Sequence, residues 1–229
     1  MNKVALYILL VFIYLGIDRA LVKNNHSNTT LRNPSFYRLY FPETPITVIL
    51  VGQYTQGFFI PTYFHVYKVI HPVRSPYYKT IKVGRFLFEK GSSYLGMSLF
   101  RRDDFQREET IPMPPGDLFI GNKTYGDWGI SFTQNQRIWD FKPEYRHLRK
   151  ELGLENFEIT YQFFRRKKIH HEREIPFYGI KKEFGSKGVI KDLHLTARFY
   201  QKKKARSFKK IILQYFPKPF QGREVQIHE

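Results

Sequence analysis

The chain has 229 residues, 42% hydrophobic and 17% aromatic, with 38 Lys and Arg against 20 Asp and Glu for a formal net charge of +18. A mean hydropathy of −0.45 excludes a polytopic membrane protein, and the apolar content excludes a disordered polycation, leaving a globular core with a basic exterior. The absence of cysteine removes disulfides, thiol nucleophiles, thiolate metal sites and a lipid-modified cysteine, and a chain of this length folds without such staples.

Met1, Asn2 and Lys3 precede an unbroken apolar run, Val4 to Ile17, which Asp18 and Arg19 end. As a helix its 14 residues reach about 21 Å, short of a hydrocarbon core of about 30 Å, which is the length of a signal-peptide apolar region. Continued through Val22, with Arg19 and Lys23 snorkelling, it comes close to spanning. The best cleavage position, after Ala20, has Asp18 where a small residue is needed, so residues 1–22 read as a signal anchor in preference to a cleaved signal peptide. The positive-inside count, Lys3 on one side against Arg19, Lys23, Arg32 and Arg38 on the other, opposes export of the body, whereas the signal-like character of the run favours it. The expected location is a membrane-anchored protein with an extracytoplasmic body in the cell envelope. Residues 23–35 form a polar tether, and 36–229 a single basic domain. Three formal N-glycosylation triplets, at Asn25, Asn28 and Asn122, carry no weight without the matching host machinery.

From Ile46 onward the pattern alternates with period two. Strands are predicted at 46–53, 62–70, 80–88, 93–100, 157–164, 193–200 and 209–216, with Glu89-Lys90-Gly91-Ser92 read as a hairpin turn. At 157–164, Phe157, Ile159, Tyr161 and Phe163 alternate with Glu158, Thr160 and Gln162. One short amphipathic helix is predicted from Pro143, with Tyr145, Leu148 and Leu152 on one face and Gly153 at its end. The expected architecture is mainly β, an antiparallel sandwich or open barrel preceded by an N-terminal hydrophobic helix, with α+β as the alternative.

No motif names a reaction, and the chain reads as a binding domain in preference to an enzyme. Residues 111–132 concentrate Pro and Gly around Asp117, Asn122, Tyr125, Asp127 and Trp128. An aromatic ring beside carboxylates is the inventory of a sugar-binding face, which makes Asn122, Tyr125 and Trp128 candidate ligand contacts. Asp117 and Asp127 are the candidate carboxylates of a polysaccharide hydrolase, the competing reading; the bland one is a rigid loop with Trp128 plugging the core and the aspartates capping turns. His65, His71 and the His170-His171-Glu172 run lack metal-ligand spacing, so no metal or other cofactor is expected. Residues 142–229 hold 22 basic and 10 acidic side chains, net +12. Arg165, Arg166, Lys167 and Lys168 form one basic run, and Lys202, Lys203, Lys204, Lys209 and Lys210 belong to another. Such runs are solvated faces unless something anionic meets them. With a membrane contact through residues 4–22, the partner chemistry they suit is anionic lipid or acidic glycan, ahead of a nucleic acid or other polyanion, for which the aromatics are present but no fold signature is. Nothing in the sequence specifies a protein partner.

Overall fold

The computed structural model describes residues 3–21, 30–57, 61–131 and 135–190. The chain divides into two compact units, Met1–His194 and Leu195–Glu229, and the described residues belong to the first. The strands predicted at 193–200 and 209–216, and the basic run with Lys202, Lys203, Lys204, Lys209 and Lys210, lie outside them.

An α-helix, α1, runs over Lys3–Leu21, and its apolar side chains from Val4 to Ile13 are exposed all round, from 44% at Leu6 to 68% at Phe12. Among the described residues no helix is long and apolar enough to cross a membrane. The body begins at Leu31, buried and bridged to Val83, and continues with a 3₁₀ turn, Pro34–Phe36, capped by the Asn33 side chain, and a short helix α2, Tyr37–Tyr40.

Mainly β structure follows. Strands β1 (Ile46–Gln56), β2 (Thr62–Ile70) and β3 (Tyr77–Val83), then β4 (Ser98–Arg102) and β5 (Glu108–Glu109), form an antiparallel sheet ordered β3-β2-β1-β4-β5. A separate antiparallel pair, β6 (Gly126–Ser131) and β7 (Gln136–Phe141), makes a two-stranded sheet. The central strand β1 is buried from Ile46 to Gly52, and the side-chain period of two splits it. Ile46, Val48 and Leu50 enter one core with Tyr37, Phe41 and Tyr67, whereas Ile49 and Val51 enter a second with Trp139, Leu148 and Phe163. Segment 31–41 and a helix α3 (Arg85–Gly91) therefore cover one face of the large sheet, and residues 111–184 cover the other. This layering explains why β1 reads as an unbroken apolar run and not as an alternating one.

Two sequence expectations are corrected. The segment 80–100 is not a hairpin: β3 ends at Val83, Gly84 caps α3, and β4 pairs with β1 on the far side of the sheet from β3. The turn signal at 89–92 is the end of a helix, where the Ser92 amide donates to Glu89, and an Arg85–Glu89 pair one helical turn apart suits that helix. The segment 157–164 is not a strand either. Only Phe157–Thr160 is extended, with the Trp139 amide donating to Ile159 and one bridge from Thr160 to Ile138, before helix α5 occupies Tyr161–Glu172. Thr160 is the switch: its Oγ1 accepts from the Phe163 amide at 3.2 Å as an N-cap, and good helix formers follow. The expected helix after Pro143 is present as a 3₁₀ turn, Pro143–Tyr145, and helix α4, His147–Glu151; Leu148 and Leu152 are fully buried and Gly153 leaves the helix at φ +67°.

Candidate functional site

The run Arg101-Arg102-Asp103-Asp104-Phe105-Gln106-Arg107-Glu108-Glu109 folds back on itself as β4, a tight loop and β5. Antiparallel pairing sets Arg101 opposite Glu109 and Arg102 opposite Glu108, so the cations of one strand meet the carboxylates of the other. The loop is fixed by Asp103, whose Oδ1 accepts from the amides of Phe105 and Arg107, both at 2.9 Å, and whose Oδ2 accepts from Arg107 Nε at 2.6 Å. Burial raises the Asp103 carboxyl, but these bonds and the Arg107 charge outweigh it and hold the group below the ordinary carboxylate range.

Behind the loop lies a chain of ion pairs. Arg101 is 1% exposed; its Nε pairs with Asp117 Oδ2 at 3.0 Å and its Nη2 with Glu109 Oε2 at 3.1 Å, while Nη1 donates to the Ile111 carbonyl at 2.9 Å. From α5, Lys167 Nζ reaches Asp117 Oδ1 at 2.7 Å and the Asp117 carbonyl at 3.1 Å, and His171 Nε2 reaches Glu109 Oε1 at 2.9 Å. Burial pushes the Asp117 carboxyl up, yet the charges of Lys167 and Arg101 and the bond from Lys167 prevail and keep it low. Asp117 is thus an ionised counter-ion at the floor of a cavity of about 240 Å³. Arg101, Arg107, Lys167 and Lys168 contribute four positive charges to its lining, and Asp103, Glu109 and Asp117 three negative ones; Asn122, Phe164 and His171 also line it.

The rim differs from the floor. Lys168 makes no ion pair with any other described residue, and Arg107, its side chain 74% exposed, engages Asp103 through Nε and leaves both Nη groups unpaired among the described residues. The cleft therefore offers fixed charge below and unspent hydrogen-bond donors above, chemistry that an anionic group would complement.

The residues expected from sequence separate accordingly. Asp117 and Asn122 line the cleft, Asn122 with its Oδ1 accepting from the Thr124 amide at 3.0 Å. Asp127 is exposed on β6 and does not line it, so the two aspartates do not face each other across this cavity. Asp117, committed to two cations and held ionised, has no proton to give. Tyr125 is 3% exposed, packed edge-on against Phe119, with its hydroxyl donating to Asp104 Oδ2 at 3.3 Å; burial and that carboxylate push it up. Trp128 is half-buried and meets Trp139, Tyr161 and Phe164 edge-on with ring centroids 5.2–5.5 Å apart, packing against the second core and outside the cleft lining. Arg165, Arg166 and Lys168 are exposed on α5, whereas Lys167 is a corrected member of that run: its Nζ turns inward to Asp117, and the residue is 7% exposed. The described residues contain no cluster able to hold a metal ion. His170 instead packs on Phe177 at 4.7 Å and donates to the Arg166 carbonyl. Sequence reasoning missed Arg101, Asp103, Arg107 and Glu109, although two arginines and two glutamates flanking a short polar segment are a legible charge-complementary hairpin.

A second polar cluster lies inside the other core. His65, 1% exposed, is hydrogen-bonded through Nδ1 to the Tyr67 hydroxyl at 2.8 Å, which contacts the Tyr37 hydroxyl at 3.1 Å. Its Nε2 and the Gln53 Oε1 are buried without a hydrogen-bond partner among the described residues. Burial lowers the imidazole to about 3 and raises Tyr37 to about 12, so both are neutral in the folded protein. No protein-family model matches the chain, and neither a curated protein nor a solved structure matches it.

Proposed function

We propose that the chain is a membrane-anchored or exported envelope domain that binds an anionic surface through the rim of the cleft and the exposed basic side of α5. The observation that carries this reading is the pair of cationic groups at the rim, Lys168 and Arg107, whose donors are left over once the floor has neutralised itself. The Lys167–Asp117–Arg101–Glu109–His171 chain fixes the floor, and Asp103 holds Arg107, so one of the two rim cations is spared the ordering cost that a free side chain imposes on binding. Arg165 lies three residues before Lys168 on α5, and Arg166 adds charge on the adjacent face, so the helix extends the positive rim along its length. Each exposed cation near an anionic surface contributes about 1 kcal/mol, and that contribution is screened by salt. Anchorage is assigned to residues 4–22, on the apolar side chains of Val4 to Ile13 that are exposed on every side of α1.

The test is retention of the full-length protein in detergent on an immobilised anionic polymer such as dextran sulfate. Charge reversal at Arg165, Arg166 and Lys168 should lower the salt needed for elution, and charge reversal at Arg32 and Arg38, distant in sequence, should lower it less. Retention that ignores both salt and the α5 reversals overturns the reading. Deleting residues 1–22 should move the body out of the membrane fraction, and a full-length protein that is already outside it refutes the anchor.

A further inference from the structure

We propose, building on the anionic-surface reading, that the surface is a phospholipid bilayer: the Phe105 ring enters its interface while a lipid phosphate seats between Arg107 and Lys168. Phe105 is 80% exposed, more than any other large hydrophobic residue among those described. It stands at the tip of the β4–β5 loop, between Asp103 and Arg107, both of which line the cleft, so the ring and the cleft share one rim.

The ring is held out. Asp103 accepts the amides of Phe105 and Arg107 and the Arg107 side chain, the Gln106 amide donates to the Asp103 carbonyl at 3.0 Å, and Gln106 takes a left-handed φ of +62°. Below the loop, Arg102 Nη2 to Glu108 Oε1 at 2.6 Å and Arg101 to Glu109 clamp the two strands. A loop with this many internal bonds does not swing its aromatic back onto the core. The Arg107 guanidinium lies 5.4 Å from the ring centroid, so a cation sits at the base of the exposed ring.

An aromatic ring with a cation at its base suits the bilayer boundary, where the ring occupies the headgroup and upper acyl region and the cation meets phosphate. The tip also carries two carboxylates. Asp103 is neutralised by Arg107, Asp104 keeps its charge while accepting from Tyr125, and the positive charge that outweighs it comes from α5, with Lys168 in the cleft lining and Arg165 and Arg166 exposed along the helix. A phosphate ion would use the same cations and gain nothing from Phe105, and an acidic glycan stacking on the ring is separated from the bilayer by the dextran sulfate arm of the experiment. A single-stranded nucleic acid would stack on the ring, and it is separated from the bilayer by the experiment.

In that experiment the full-length Phe105→Trp protein is reconstituted into phosphatidylcholine vesicles with or without phosphatidylglycerol, and emission is read against the unaltered protein, whose Trp128 and Trp139 set the background. Brominated phosphatidylglycerol should quench the added indole, and high salt or Lys168→Glu should abolish that extra quenching. In parallel, Phe105→Ser should leave retention on dextran sulfate unchanged, since position 105 touches no core. An added indole that is not quenched beyond the background overturns the proposal, as does a Phe105→Ser protein that loses dextran sulfate retention, which would give the ring a soluble polyanion to contact. If retention on dextran sulfate stays salt-dependent while the indole goes unquenched, only the bilayer proposal fails; if retention is also absent, the anionic-surface reading falls with it.

Discussion

Acidification should destabilise this protein through one buried imidazole, His65, before the Asp117 carboxylate is protonated. His65 has a folded-state value of about 3 against 6.5 when solvated, because burial disfavours its charged form and Nε2 has no acceptor. The unfolded chain therefore takes up the proton first. The stability due to a neutral His65 is complete above 6.5, drains away as the pH falls toward about 3, and is constant below that. Each pH unit inside the window is about 1.4 kcal/mol, so acidification from about pH 7 to about pH 4 removes about 3 kcal/mol. Asp117, with a folded value below 3.8, adds its own loss only as the pH falls from about 3.8 through that lower value. Urea unfolding of the full-length protein across this range gives the slope, and His65→Leu, which cannot titrate at 65, supplies the reference. Equal slopes in the two proteins refute the assignment. Should His65→Leu not fold, the His65 ring resonances of the folded protein decide: they should hold still from about pH 7 to about pH 4, and a titrating shift there refutes it equally.

Asp117→Asn removes the counter-ion of Lys167 and one of the two of Arg101, which keeps Glu109, and should cost about 3–5 kcal/mol in urea unfolding, with Lys167→Met in the same chain recovering part of the loss. A Cβ at Gly91 would stand 2.7 Å from His65 Cε1 and 2.8 Å from Nε2, so Gly91→Ala should cost about 1–3 kcal/mol, whereas Gly129→Ala, with nothing within 4 Å, should stay within about 0.5 kcal/mol. Thr160→Ala removes the α5 N-cap and should cost about 1 kcal/mol, read from the shift in the urea midpoint.

Legibility in the sequence followed the burial of each segment. β2 was readable to the residue because Thr62–Ile70 is a strand with apolar side chains on both faces. Phe157–Phe163 misled because a period of two and a helical capping signal overlap: Phe157 and Ile159 pack from an extended segment, and Phe163 packs from the first turn of α5. Nothing in alternation separates these, whereas Thr160 followed by Gln162 and four basic residues would have favoured the helix. The 80–88 run failed at Gly84, where an apolar strand passes directly into an apolar helix with Leu87 buried. At the site, sequence marked Asp117 and Asn122 through the density of Gly and Pro but misjudged chemistry, since a carboxylate's role depends on partners 16 and 50 positions away, Arg101 and Lys167.

The net charge of +18 also divides by depth. Lys68, Arg101, Arg102 and Lys167 are each no more than 7% exposed. Lys68 ties β2 to Glu151 of α4 at 2.7 Å, Arg102 donates to the carbonyls of Phe41 and Glu43, and Arg101 and Lys167 converge on Asp117. Every one of these cations joins the sheet or α5 to a segment packed against it. Replacing such a pair by well-packed hydrophobes can be neutral, so the pairs argue less for net stability than for direction: an apolar face tolerates a slide that a buried ion pair does not. It follows that counting basic residues overstates the surface available to a partner. The count that bears on binding excludes these four, and within Arg165–Lys168 it leaves Arg165, Arg166 and Lys168, because the third member of that run is already bound inside the protein.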